Sequence, residues 1–120
     1  MIYASPTLAM AVLETVAHFN SNGLPLNRYV IELDVPADVW KARRVVKEKA
    51  LPGGWDAIPH GHASTSWGAA WYSAGDEALV ELPSAIIPEE TIILINAAHP
   101  DSQKIKASVI RRFQYNLLLR

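Results

Sequence analysis

The sequence predicts an α+β domain, with mixed or antiparallel sheets and flanking helices, and three observations carry that expectation. Two stretches, Leu8 to Phe19 and His62 to Ala74, bring apolar residues back at helical spacing. A third, Tyr29 to Val35, alternates, with Tyr29, Ile31, Leu33 and Val35 on one side and Glu32 and Asp34 on the other, as a strand packed on one face does. Further strand-like runs crowd into the second half of the chain. They lack the even strand-helix rhythm of a parallel doubly wound sheet.

Taken in order, Met1 to Ala4 reads as the end of a strand, and Ser5-Pro6 as an N-cap followed by the first-turn proline that helices favour. In the first helix Leu8, Val12, Val16 and Phe19 line one face, and Asn20-Ser21-Asn22-Gly23 stops it. The other face, Met10, Glu14, Ala17 and His18, is nearly as apolar, so the helix is expected to be covered on both sides with Glu14 turned toward something specific. Pro36 ends the alternating strand. Ala37 to Lys49 then reads as a short helix carrying Lys41, Arg43, Arg44, Lys47 and Lys49 around Val39, Trp40, Val45 and Val46. Leu51-Pro52-Gly53-Gly54-Trp55 is a turn, followed by irregular chain to Gly61. The helix His62 to Ala74 centres on Trp67, Ala70 and Trp71, and Gly68 weakens it. Strands follow at Ala78 to Leu82, Ala85 to Ile87, Thr91 to Ile95 and Val109 to Leu117, with a polar loop and one helical turn between Asn96 and Lys106. Pro83 and Pro88 separate the first three strands and mark them as edge or bulged strands.

Bulk properties narrow the function classes. The chain has 120 residues, 50% of them hydrophobic, with 11 Lys and Arg against 12 Asp and Glu, which fits one globular domain over residues 1–120. Cysteine is absent, which removes disulfides, thiolate zinc sites and a Cys nucleophile together. No apolar run approaches the roughly 18 residues of a membrane span, and the first residues lack an export-signal pattern, so a cytoplasmic location is expected. A formal net charge of −1 gives no whole-chain attraction to nucleic acid or anionic lipid. A nucleic-acid binder would need Lys41 to Lys49 on one continuous positive face. Nucleotide-loop, metalloprotease and EF-hand patterns are absent, and His60 and His62, with no acid cluster beside them, read as polar loop residues rather than as metal ligands. Read singly, Glu14 and His18 form a surface contact four residues apart, Tyr3 fills the core or an edge, and Ser84 occupies a turn.

Chain order changes that reading. The run Ile2-Tyr3-Ala4-Ser5, Leu8-Ala9-Met10-Ala11-Val12-Leu13-Glu14 and Val16-Ala17-His18 resembles the core motif of the RES domain family, named for its Arg, Glu and Ser motifs. Later pieces fall in family order: Leu51-Pro52-Gly53-Gly54-Trp55, Gly68 with Trp71, Leu82-Pro83-Ser84-Ala85-Ile86-Ile87-Pro88, Asn96-Ala97-Ala98-His99-Pro100, and Arg112-Phe113-Gln114-Tyr115-Asn116. The resemblance spans nearly the whole chain. It implies a fold like that of ADP-ribosyltransferases, and the activity of a toxin in a type II toxin–antitoxin pair that degrades NAD⁺ by phosphorolysis or hydrolysis of the nicotinamide–ribosyl bond. No cofactor is implied. NAD⁺ is the substrate, with inorganic phosphate as a co-substrate in the phosphorolytic case, and the partner is an Xre-like helix-turn-helix antitoxin that covers the active site.

Roles follow residue by residue. Tyr3 resembles the tyrosine that positions the nicotinamide-side ribose and base, where an aromatic face holds a cationic pyridinium. Glu14 resembles the catalytic carboxylate, which stabilises oxocarbenium character and grips ribose hydroxyls. Ser84 resembles the motif serine that hydrogen-bonds substrate, a positioning group rather than a nucleophile because no neighbouring base is evident. His18 is at most an outer contact.

The sequence also departs from the family pattern. Family members carry a glycine-rich turn, an Arg-Trp motif and a second arginine before the Tyr3 segment, so the domain is expected to be an N-terminally truncated RES fold without those phosphate clamps. That loss weakens NAD⁺ binding and exposes a strand edge that favours a homo-oligomer. Arg28, Arg43, Arg44, Arg111 and Arg112 are the available substitutes, and Asn116 and Leu118 replace a usual Asp and Arg. The alternative function is a catalytically inactive module that binds antitoxin through the same cleft and the apolar residues around Trp67 and Trp71.

Overall fold

Apolar residues gather most densely at residues 78–82 and 92–95, and these runs form the centre of a four-stranded sheet. The structure, a computed structural model, describes residues 1–17, 28–57 and 61–115. Its elements are β1 (Ile2–Ala4), α1 (Leu8–Ala17), β2 (Arg28–Asp34), α2 (Ala37–Lys41), β3 (Arg44–Val45), α3 (His62–Ala74), β4 (Leu79–Pro83), β5 (Thr91–Ile95) and β6 (Lys106–Phe113). Short 3₁₀ turns occupy Glu48–Ala50 and Pro100–Lys104. One sheet has the order β1-β5-β4-β3, antiparallel except for the β3–β4 pair, and β2 and β6 form a second, antiparallel sheet. Helices with mixed and antiparallel sheets make this an α+β fold, as the sequence predicts. Among the described residues, no helix is long and apolar enough to cross a membrane.

β4 and β5 are apolar on both faces because both faces are covered. Leu79, Ile93 and Ile95 pack with Ala78 and with Val39 of α2, while Val80, Leu82 and Leu94 pack on the opposite face with Trp71 of α3. Leu79 is 1% exposed and Val80 0%. Burying an indole requires a partner for its N–H, and Trp71 Nε1 donates to Glu77 at 3.2 Å. Glu77 in turn pairs with Arg44 at 2.8 Å, tying β3 to the end of α3. Gly75, at φ 65, closes α3 by donating its N–H to Trp71 O, in a left-handed conformation that only glycine takes without strain.

Several expectations are corrected. α1 begins at Leu8, and Thr7 rather than Ser5 caps it, its Oγ1 accepting the Met10 N–H at 3.2 Å. Met10 is the buried residue of α1 and Leu8 is 44% exposed, while residues 11–17, Val12, Glu14 and Val16 among them, are all half-buried. Phe19 and the stop at Asn20 to Gly23 lie outside the described residues. The single helix expected over Ala37 to Lys49 is α2, β3 and a 3₁₀ turn: Ala42 caps α2, and the Val46 N–H reaches Glu81 O at 2.9 Å as the chain joins β4 in parallel. The strands flanking Pro83 are central rather than edge strands, because Pro83 falls on the last residue of β4, opposite Thr91. Residues 85–87 form no strand; they belong to a turn described below. β6 begins at Lys106 and ends at Phe113, and Leu117 lies outside the described residues.

Candidate functional site

Two prolines bracket the turn that builds the site. Pro83 ends β4, and the chain doubles back around Pro88, the Ser84 N–H donating to Glu90 O at 2.8 Å and the Glu90 N–H to Ile87 O at 2.9 Å. The Ser84 hydroxyl points into this turn and accepts the N–H groups of Ile86 at 3.1 Å and Ile87 at 3.2 Å. With both lone pairs occupied, the hydroxyl has only its proton left to give. It gives it to Glu14 Oε1 at 2.6 Å, the length of a charge-assisted O–H···O contact. The two residues are 70 positions apart, and Ser84 is 0% exposed.

Glu14 reaches the turn from α1. It stands one helical turn after Met10, on the inward side of that helix, and is half-buried. Its Oε1 is thereby fixed by a rigid donor on the end of a core strand. A carboxylate so held does not have to reorganise when positive charge develops beside it. A carboxylate, Glu14, stands beside Ser84 where no neighbouring base is expected from sequence, and the hydroxyl is fully buried with three hydrogen-bond positions occupied.

Tyr3 comes from a separate element. It lies on β1 opposite Leu94 of β5, and Leu94 in turn opposes Val80 of β4, so Tyr3 shares a sheet face with these two residues. Tyr3 is 60% exposed. An open hollow of ≈ 610 Å³ abuts the far side of the Ser84 turn through Pro83, Pro88 and Glu89, but neither Glu14 nor Tyr3 lines it.

The other candidates separate clearly. Arg43 donates to Glu81 at 3.3 Å and to Trp40 O at 3.0 Å, its guanidinium 4.0 Å from the Trp40 ring centroid, and Arg44 is held by Glu77. These two arginines are thus built into the fold, and the basic stretch Lys41 to Lys49 is divided over three elements instead of forming one positive helix face. Arg28, Arg111 and Arg112 all lie on the β2–β6 sheet. His62 contacts Ser66 at 3.2 Å, while His18, His60, Asn116 and Leu118 lie outside the described residues. Among the described residues, no group of three or more His, Cys, Asp or Glu could hold a metal ion. Trp71 is 3% exposed and belongs to the core, and Trp67 packs partly buried against the same cluster.

The amides of Ile86 and Ile87 are the parts of the site that residue-by-residue reading misses. Their signal was nonetheless present, as a serine directly after a proline in a segment closed by a second proline, the setting in which a hydroxyl takes the amides two and three residues on.

An α+β fold that joins a helix glutamate to a buried serine at the end of a central strand agrees with the family comparison. The model of the RES domain matches residues 1–117. The chain belongs to the RES domain family. It is 48% identical over 116 residues to a protein of Sphingobium sp. (strain YBL2) named Prs ADP-ribosylating toxin, covering 97% of this chain and 72% of that one. Two proteins named Toxin Res are more distant. That of Photorhabdus laumondii subsp. laumondii is 22% identical over 116 residues, with 97% and 72% covered, and that of Pseudomonas putida is 28% identical over 111 residues, with 91% and 72% covered.

Proposed function

We propose that this chain is a toxin domain that breaks the nicotinamide–ribosyl bond of NAD⁺ and passes the ADP-ribosyl group to an acceptor. The observation that supports the reading best is the 2.6 Å hydrogen bond from Ser84 to Glu14. In the reaction the C1′–N bond breaks, its electron pair leaves with nicotinamide, and positive charge spreads over C1′ and the ring oxygen of the ribose. Glu14 stabilises that charge. The acceptor then forms a bond to C1′ and loses a proton. Tyr3 supplies an exposed aromatic face for the cationic pyridinium. Ser84 keeps the Glu14 carboxylate in place.

Three acceptors deserve comparison. Phosphate and water follow from the sequence resemblance, and the 48% identity to a Prs ADP-ribosylating toxin adds Prs, which we place first. An Xre-like antitoxin is the proposed partner that holds the toxin inactive in a type II pair. The test is nicotinamide release from NAD⁺ by the chain and by its Glu14→Gln variant, with buffer, phosphate or Prs present, followed by mass spectrometry of the products. Release that requires Glu14, with an adduct on Prs, supports the full reading. Free ADP-ribose or its 1-phosphate would move the acceptor to water or phosphate, and no release under any condition would overturn the enzymatic reading in favour of an inactive antitoxin-binding module.

A further inference from the structure

We infer that the outer edge of β2 pairs with β2 of a second copy of this chain, antiparallel, about a twofold axis at Ile31. The observations come from the two-stranded sheet and are independent of the proposed chemistry. β2 has β6 on one side and, among the described residues, no strand on the other. Strands of seven and eight residues with open edges are templates for pairing unless something blunts them.

β6 is blunted and β2 is not. The register slips between Val30 and Ile31, which oppose Arg111 and Val109, so the extra residue is Ile110 and the bulge belongs to β6. β6 also carries Lys106, Arg111 and Arg112 with no acid, so pairing two β6 edges would bring only cations together. β2 is regular, and its sequence Arg28-Tyr29-Val30-Ile31-Glu32-Leu33-Asp34 is complementary to its own reverse.

Placing Ile31 opposite Ile31 of the second copy sets Arg28 opposite Asp34, Tyr29 opposite Leu33, and Val30 opposite Glu32. In an antiparallel pair, directly opposed residues share a face. One face then becomes an apolar row of Tyr29, Ile31 and Leu33 from both copies. Tyr29 is 60% exposed and Ile31 49%, and this row gives both of them cover. The other face carries opposed charges at both ends. Such an arrangement is an isologous, closed interface, and it produces a dimer rather than a filament.

The absence of native cysteine makes a direct test available. Opposed residues in an antiparallel pair have Cα atoms about 4.5–5.5 Å apart, inside the roughly 4.4–6.8 Å that a disulfide spans. Ile31→Cys in the full chain should therefore cross-link two copies quantitatively under mild oxidation at micromolar concentration. Val109→Cys, more exposed but on β6, should not, since two copies of that residue would be about three strand spacings, ~14 Å, apart. Asp34→Arg sets like charges opposite each other at both ends and should weaken the dimer roughly tenfold by sedimentation, with the melting temperature of the dilute monomer unchanged. Ile31→Cys that stays uncross-linked, or that links no faster than Val109→Cys, overturns the inference. So does a dimer whose affinity Asp34→Arg leaves unchanged.

Discussion

β4 and β5, five residues each, bury most of their side chains, whereas β2 and β6, seven and eight residues long, leave most of theirs exposed. Apolar content does not separate them, since β2 holds Tyr29, Val30, Ile31 and Leu33, and β6 holds Val109, Ile110 and Phe113. Coverage does. α2 and α3 pack on opposite faces of the four-stranded sheet, while among the described residues the two-stranded sheet touches buried residues near its ends, through Leu33 with the neighbouring Val35 and Ile105 at one and Phe113 against Tyr115 at the other. The first sheet is therefore a rigid base for the Ser84–Glu14 hydrogen bond, and the second is mostly exposed.

Substitutions can break this contrast at graded cost. Glu14→Gln should reduce nicotinamide release about a hundredfold or more while leaving the unfolding midpoint in place, as measured by product chromatography beside thermal melting. Leu79→Ala, in the covered sheet, should cost about 3 kcal/mol in denaturant unfolding because it opens a cavity at a residue 1% exposed. Ser84→Ala should cost about 1–2 kcal/mol, since the amides of Ile86 and Ile87 lose their acceptor, and should lower turnover roughly tenfold with little change in KM. Val109→Ala, in the exposed sheet, should stay within about 0.5 kcal/mol of the parent by the same denaturant measurement. If Val109→Ala proved as costly as Leu79→Ala, the two sheets would not differ in the way their exposure indicates.

The pattern of local signals explains what could be read from sequence. α3 and β5 have the predicted ends, because helical spacing closed by Gly75 and an aliphatic run bounded by polar residues are both local features. β3 was hidden because only two residues pair, and their partner, β4, lies 36 positions later. Which residue of α1 is buried most deeply was not legible for a related reason. Leu8 and Met10 are equally apolar, and only the packing of the folded chain turns Met10 inward. Glu14 and Ser84 could be named through family motifs, but their hydrogen bond could not, since nothing within either segment specifies a partner 70 residues away. Nor could the sequence reveal that Ser84 is sealed from solvent.

The pairing of β1 with β5 places Ile2 beside Ile95 and Ala4 beside Ile93. A chain synthesised from its N-terminus therefore makes β1 well before β5, the strand that pairs with it, and contacts so distant in sequence form late and slowly. Glu14 likewise has no Ser84 to fix it until that residue has left the ribosome. The carboxylate thus gains its buried hydrogen-bond donor only after a segment 70 residues later in the chain has been made.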